Sequence, residues 1–242
     1  MSEHTAVVTG GSTGIGLEIC QQFLDLGYTV VNLSRRPAPV EHANLHNYTV
    51  DLGDREATRV IAAKLAERFA VDILVHNAGL IRADLIEDVK LEDLDYLAQV
   101  HLAADITLVQ AFLPAMKEKQ FGRIINMSTR AVLGLETRTS YSATKAAMMA
   151  MTRTWALELG QHGITVNAVA PGPIAATEMF HNVFPEDDPQ IKKIADSIPV
   201  KRVGTPGDVA RATLFLAAPE NGFITGQTLF VCGGASLGSL SL

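Results

Sequence analysis

The sequence predicts an α/β fold, a doubly wound, seven-stranded parallel sheet with helices on both faces. Short β-branched runs alternate with longer helical patterns along nearly all 242 residues, which a parallel sheet with crossover helices explains. Hydrophobic residues make up 48% and charged residues 19%, enough to bury a sizeable core and far from the composition of a disordered chain. No repeat, low-complexity tract or Gly/Ser/Pro-rich linker divides the chain, so one domain over 1–242 is expected.

Strand candidates lie at 6–8, 29–31, 48–50, 72–75, 123–126, 164–167 and 228–231, and helical patterns at 14–26, 54–69, 92–119, 140–160 and 206–217. Gly27 stands where a C-cap glycine is favoured. Thr205-Pro206-Gly207-Asp208 opens the last helix with a cap, an N1 proline and an early acid. The least regular stretch, 172–204, holds Pro173, Pro185, Pro189 and Pro199 and an acidic Glu186-Asp187-Asp188 cluster. It follows a strand end, where ligands sit in an open parallel sheet, so its 178–200 portion is placed to act as a lid.

Several classes are disfavoured. With 20 Lys+Arg against 26 Asp+Glu the net charge is −6, which argues against a nucleic-acid partner. No apolar run approaches the roughly 18 residues of a membrane span. The opening MSEHTAVVTG runs straight into a strand pattern without a secretory leader, so a cytoplasmic protein with no membrane partner is expected. Cys20 and Cys232 match no disulfide framework or metal spacing, and no metal is expected.

Immediately after the first strand comes Thr9-Gly10-Gly11-Ser12-Thr13-Gly14-Ile15-Gly16, followed by an apolar-periodic helix. Strand, glycine turn and helix in that order let the backbone approach a pyrophosphate, with helix amides meeting its charge. The context favours a Rossmann-type dinucleotide site over Gly10, Ser12, Thr13, Gly14, Ile15 and Gly16; the alternative is glycines that only make a tight turn. The second strand ends Asn32-Leu33-Ser34-Arg35-Arg36, without the carboxylate that bonds ribose hydroxyls. Arg35, with Ser34 and Arg36 beside it, could meet a 2′-phosphate, which favours NADP(H) and leaves NAD(H) open. The alternative for both arginines is a solvated loop. Asp51-Leu52 is placed beside the adenine, and Asn77-Ala78-Gly79 gives another close backbone approach on the same edge.

Tyr141 and Lys145 lie four apart on a strongly helical stretch, on one face and about 6 Å apart along the axis. A free tyrosine titrates near 10; a neighbouring ammonium favours its phenolate and brings it closer to neutral pH. TGGSTGIG at 9–16, HNAG at 76–79, IINMST at 124–129, YSATK at 141–145, ITVNAVAPGPI at 164–174, RVGTPGDVA at 202–210 and ITGQTLFVCGG at 224–234 together resemble the classical short-chain dehydrogenase/reductase family, with a likeness to its 3-oxoacyl reductases, over essentially the whole chain. The resemblance implies an oxidoreductase acting on a small carbonyl or alcohol, with Tyr141 as general acid/base and Lys145 lowering its pKa and holding the nicotinamide ribose. It places Pro171, Gly172 and Ile174 at the nicotinamide carboxamide and Thr177 near the phosphates, although Thr177 stands five residues after Gly172 where the family usually has four. It also implies a homotetramer or homodimer.

Two positions depart from the family pattern. Counting 13 back from Tyr141 selects Ser128 as the hydroxyl that bonds the substrate oxygen, whereas counting three forward from Asn126 selects Thr129. The strand anchor favours Thr129, because strand register cannot slip without turning side chains over. Where the family has a helical asparagine that holds a relay water, this chain has His101. It is either a relay with a pH dependence of its own or a packed ring. Arg130 and Arg138 flank the loop before Tyr141, as attractors of an anionic substrate or as ordinary surface arginines. Two other readings stay open: an NAD-dependent sugar or alcohol dehydrogenase of the same fold, and a non-catalytic cofactor-binding regulator.

Overall fold

The computed structural model describes residues 4–181, 184–185 and 187–237; Glu186 of the acidic cluster lies outside them. Seven strands, β1 (Thr5–Thr9), β2 (Thr29–Ser34), β3 (Leu45–Thr49), β4 (Ile73–His76), β5 (Gly122–Met127), β6 (Ile164–Pro171) and β7 (Thr228–Val231), form one sheet in the order β3-β2-β1-β4-β5-β6-β7. Every pairing is parallel. The direction of winding reverses between β1 and β4, which opens a crevice beyond their carboxyl ends.

Because strand side chains alternate, each strand feeds both faces. Val7, Val31, Leu74, Ile124 and Val166 pack under α2 (Arg55–Arg68), α4 (Ala104–Lys119) and α5 (Thr139–Leu159). Their neighbours Ala6, Val8, Val30, Ile73, Val75 and Ile125 pack under α1 (Gly14–Asp25) and α6 (Pro206–Ala217). Burial on both faces is why these strands read as continuous apolar runs rather than alternating ones. Gly27 follows α1 at φ +77°, and Thr205 and Asp208 cap α6 reciprocally, each side chain accepting from the other's backbone N–H.

Several elements differ from the sequence expectation in their bounds, β2 and β6 running on to Ser34 and Pro171. β3 begins at Leu45 and ends at Thr49 instead of spanning 48–50. It is an edge strand with a half-exposed pattern, so its apolar signal is weak. The helix expected over 92–119 is interrupted: α3 (Leu91–Ala98) passes through a π-helical turn, Gln99–Ala103, into α4. The continuous run Leu91–Lys119 has the length and apolar content of a membrane span, contrary to the count of apolar residues alone. Here its stripe of Leu97, Val100, Leu108, Phe112 and Met116 is buried in the core.

Candidate active site

The glycine turn lies at the mouth of the crevice. A side chain on Gly16 would place its Cβ 2.1 Å from the Gly10 carbonyl oxygen, so the first turn of α1 can touch the loop only as glycine. Asn77 braces the loop from the next strand, its Nδ2 donating to the Thr9 and Gly10 carbonyls at 3.1 and 3.2 Å. The cavity above, about 500 Å³, is walled by Gly10, Ser12, Thr13, Gly14, Ile15 and Gly16, by Ser34, Arg35 and Arg36, and by Asp51, Leu52, Asn77, Ala78 and Gly79. A turn that a Cβ would fill, opening into a cleft edged by cations, fits a nicotinamide dinucleotide. Thr177 closes the cradle opposite Gly14, despite its shifted spacing.

Not all of these side chains are available to a phosphate. Arg36 is engaged by Glu178 across the cleft, and the Ser34 hydroxyl donates to Asn32 Oδ1 at 2.6 Å. Arg35 forms no ion pair among the described residues. Asp51 accepts from Gly53 N–H at 2.8 Å and from the Tyr96 hydroxyl at 3.4 Å. Tyr96 and Glu178 are therefore cleft residues that sequence reasoning missed, since their placement depends on a helix and a loop far along the chain.

Tyr141 and Lys145 face a second, larger cavity of about 820 Å³, together with Thr129, Pro171, Gly172 and Ile174. It shares Asn77, Gly79, Thr177 and Met179 with the nucleotide cleft. Both candidate hydroxyls, Ser128 and Thr129, line this cavity, and of the two Thr129 acts on the phenol. Burial pushes Tyr141 above its ordinary value, and neighbouring Thr129 and then the charge of Arg138 act against that rise. Ser128 instead donates to the Lys145 carbonyl at 2.9 Å and is buried, tying β5 to α5.

Lys145 is buried in the same wall. Lys145 Nζ donates to the Met127 carbonyl at 2.7 Å. Burial brings its own pKa down to about 7, with Asp105 acting in the opposite sense. Thr129 and Arg138 are the groups that offset the rise of Tyr141.

Beneath this pair lies a buried polar layer. His101 Nε2 accepts from the Leu80 N–H at 3.3 Å, so the ring proton sits on Nδ1, 2.9 Å from Thr144 Oγ1. Both nitrogens are engaged and the ring is fully buried, which leaves neither to bond a relay water. Burial, and after it the charge of Lys145, holds His101 far below its usual range, so it stays neutral where a free histidine would titrate. The packed ring is the reading this geometry supports. His76 bridges the Val100 carbonyl (3.1 Å) and Thr9 Oγ1 (3.2 Å), and burial pushes it down to about 3. Asp105 is fully buried, and neither carboxylate oxygen has a hydrogen-bond partner. It falls one turn after His101 on the stripe that carries Leu97 and Leu108. A charge on that apolar stripe was a legible signal.

The geometry has a counterpart among known proteins. A family model described as enoyl-(acyl carrier protein) reductase matches residues 10–236. The chain is 36% identical to the BbsD subunit of (2S)-[(R)-hydroxy(phenyl)methyl]succinyl-CoA dehydrogenase from Thauera aromatica, covering 98% of each. It belongs to the classical short-chain dehydrogenase/reductase family. Another member, 3-oxoacyl-[acyl-carrier-protein] reductase from Rickettsia bellii, is also 36% identical, over 97% of both chains. The solved structure of ElxO with NADP bound superimposes with a TM-score of 0.88 at 30% identity, covering 97% of this chain and 99% of that one. As a short-chain dehydrogenase/reductase the protein is an oxidoreductase that acts between CH–OH and C=O with a nicotinamide cofactor.

Proposed function

We propose that the protein transfers hydride reversibly between NADP(H) and a carbonyl or secondary alcohol, with Tyr141 exchanging the proton and Thr129 bonding the reacting oxygen. One observation carries the reading: Thr129, Tyr141 and Lys145 share the wall of the cavity that meets the nucleotide cleft. When bound, the nicotinamide supplies the hydride to the carbonyl carbon, or takes it from the alcohol. The Gly10–Gly16 turn and the start of α1 hold the pyrophosphate through backbone amides. Arg35 receives the 2′-phosphate, since Arg36 is engaged by Glu178 and no carboxylate stands at the tip of β2 to hold bare ribose hydroxyls.

Asp51 and Leu52 flank the adenine, while Pro171, Gly172 and Ile174 face the carboxamide. Lys145 holds the ribose beside Tyr141, and His101 acts through packing, edge-on to the Tyr141 ring at 5.9 Å between centroids. Burial keeps the phenol protonated near neutral pH, which suits reduction: Thr129 and Tyr141 both donate to the carbonyl oxygen, and Tyr141 releases its proton as the alkoxide forms. Met179, Phe180 and Ile198 of the 178–200 lid contribute apolar wall. Exposed Leu157, Phe215 and Phe223 support assembly into a homotetramer or homodimer.

Tyr141→Phe tests the mechanism. Turnover should fall by roughly 10³-fold or more while NADPH affinity, read by fluorescence, changes by less than about twofold; an active variant would overturn it.

A further inference from the structure

Most of the arginines with side-chain partners are already answered by an acid. Arg36, Arg59, Arg82, Arg202 and Arg211 each meet a carboxylate, and Arg123 is spent on backbone carbonyls. Arg130 and Arg138 are different. Both line the cavity that holds Tyr141 and Thr129, and neither has a carboxylate partner among the described residues. Arg130 Nε is anchored on the Ala235 carbonyl at 2.9 Å. The one acid on this wall, Glu136, is exposed and pairs with neither.

Arg138 is held more tightly. It is the N-cap residue of α5, one turn before Tyr141. Its backbone N–H donates to Leu135 O at 3.2 Å, and its carbonyl accepts from Ser142 N–H at 2.7 Å. The preceding Thr137 sits at φ +65°, an unusual conformation for a β-branched residue. The Asp84 N–H holds it in place by donating to the Thr137 carbonyl at 3.2 Å. Nη1 donates to Thr137 Oγ1, whereas Nε is buried with no partner. A guanidinium donor removed from water and left unanswered is costly. Arg138 also lines the cavity without a carboxylate partner, and a carboxylate, which matches the planar fork of a guanidinium, is the ligand that best answers its charge there. The Arg138 charge already acts on the Tyr141 phenol, so such a ligand would sit close to the reacting oxygen.

We propose that the substrate carries a carboxylate near its reacting carbon, held by Arg138, so that the cavity takes oxo acids and hydroxy acids in preference to neutral ketones and alcohols. Leu135, Met179, Phe180, Phe184 and Ile194 on the remaining wall fit an apolar remainder. The proposal rests on the hydride-transfer reading above and deepens it.

The test compares 3-oxohexanoate with its methyl ester, following NADPH oxidation for the wild type, Arg138→Gln and Arg138→Lys. The wild type should favour the acid in kcat/KM by about tenfold or more. Arg138→Gln should bring that ratio to about one through a raised KM for the acid, and Arg138→Lys should restore it in part. Loss of the cation beside Tyr141 slows both substrates alike, so the ratio is the readout. A wild-type ratio of one or less, or a ratio unchanged in Arg138→Gln, overturns the proposal. If neither compound is reduced, the hydride-transfer reading fails separately. Calorimetric binding of 3-hydroxyhexanoate against its methyl ester then decides the subsite: tighter binding of the acid, lost in Arg138→Gln, upholds it, and equal binding overturns it.

Discussion

Asp105 gives the sharpest test of the energetic reasoning, because its carboxyl is fully buried with both oxygens unpartnered. Burial raises it well above the usual carboxylate range, and the attraction of Lys145 opposes that rise without cancelling it. In Asp105→Ala the unanswered group disappears, a gain of about 1–3 kcal/mol. Better helix propensity adds up to about 0.5 kcal/mol, and the small void left behind costs about as much. The variant should therefore be more stable by about 1–3 kcal/mol near neutral pH, with Tm higher by roughly 2–4 °C per kcal/mol for a chain of this size. The sign with pH follows from linkage. A carboxyl raised in the folded state makes the wild type lose stability as pH climbs from about 4 toward the raised value. The gain in the variant should thus be smaller at pH 4 than at pH 7.5. Urea denaturation at the two pH values measures it. A gain that does not grow with pH, or a loss at pH 7.5, would refute the reasoning. Asp105 also acts to raise Lys145, so the same variant should turn over more slowly at pH 7.5 while being harder to unfold.

Further outcomes follow from the site. Arg35→Asp should shift preference toward NADH by at least roughly tenfold in the ratio of kcat/KM values; an unchanged ratio would place the phosphate contact elsewhere. Gly16→Ala brings a Cβ to 2.1 Å from the Gly10 oxygen, so NADPH affinity should fall by about tenfold or more in a fluorescence titration, and near-normal affinity would mean the turn yields easily. Thr129→Ala should lower kcat by roughly 10²-fold, whereas Ser128→Ala should mainly cost about 1 kcal/mol of stability for its lost bond to the Lys145 carbonyl. The reverse pattern in kinetics and melting would exchange the roles of the two hydroxyls.

The sequence by itself determined what neighbours along the chain encode. Alternating short apolar runs and helical stripes specified a parallel sheet covered on both faces, since both periodicities arise within a few residues. The glycine turn was legible because strand, turn and helix are consecutive. Tyr141 and Lys145 were legible because one helical turn separates them. β3 was misplaced at the sheet edge, where half-exposure weakens the apolar pattern. The tertiary structure alone decided which groups meet across long separations. It turned the Ser128 hydroxyl to the Lys145 carbonyl while Thr129 acts on the phenol, and it engaged Arg36 with Glu178 from the 178–200 segment. It enclosed both nitrogens of His101 between Leu80 and Thr144. It also buried Lys145 deeply enough to bring it to about 7, opposite an unanswered Asp105. A side chain's charge and hydrogen bonds depend on solvent access and on partners that folding delivers from distant elements, and no local period records either.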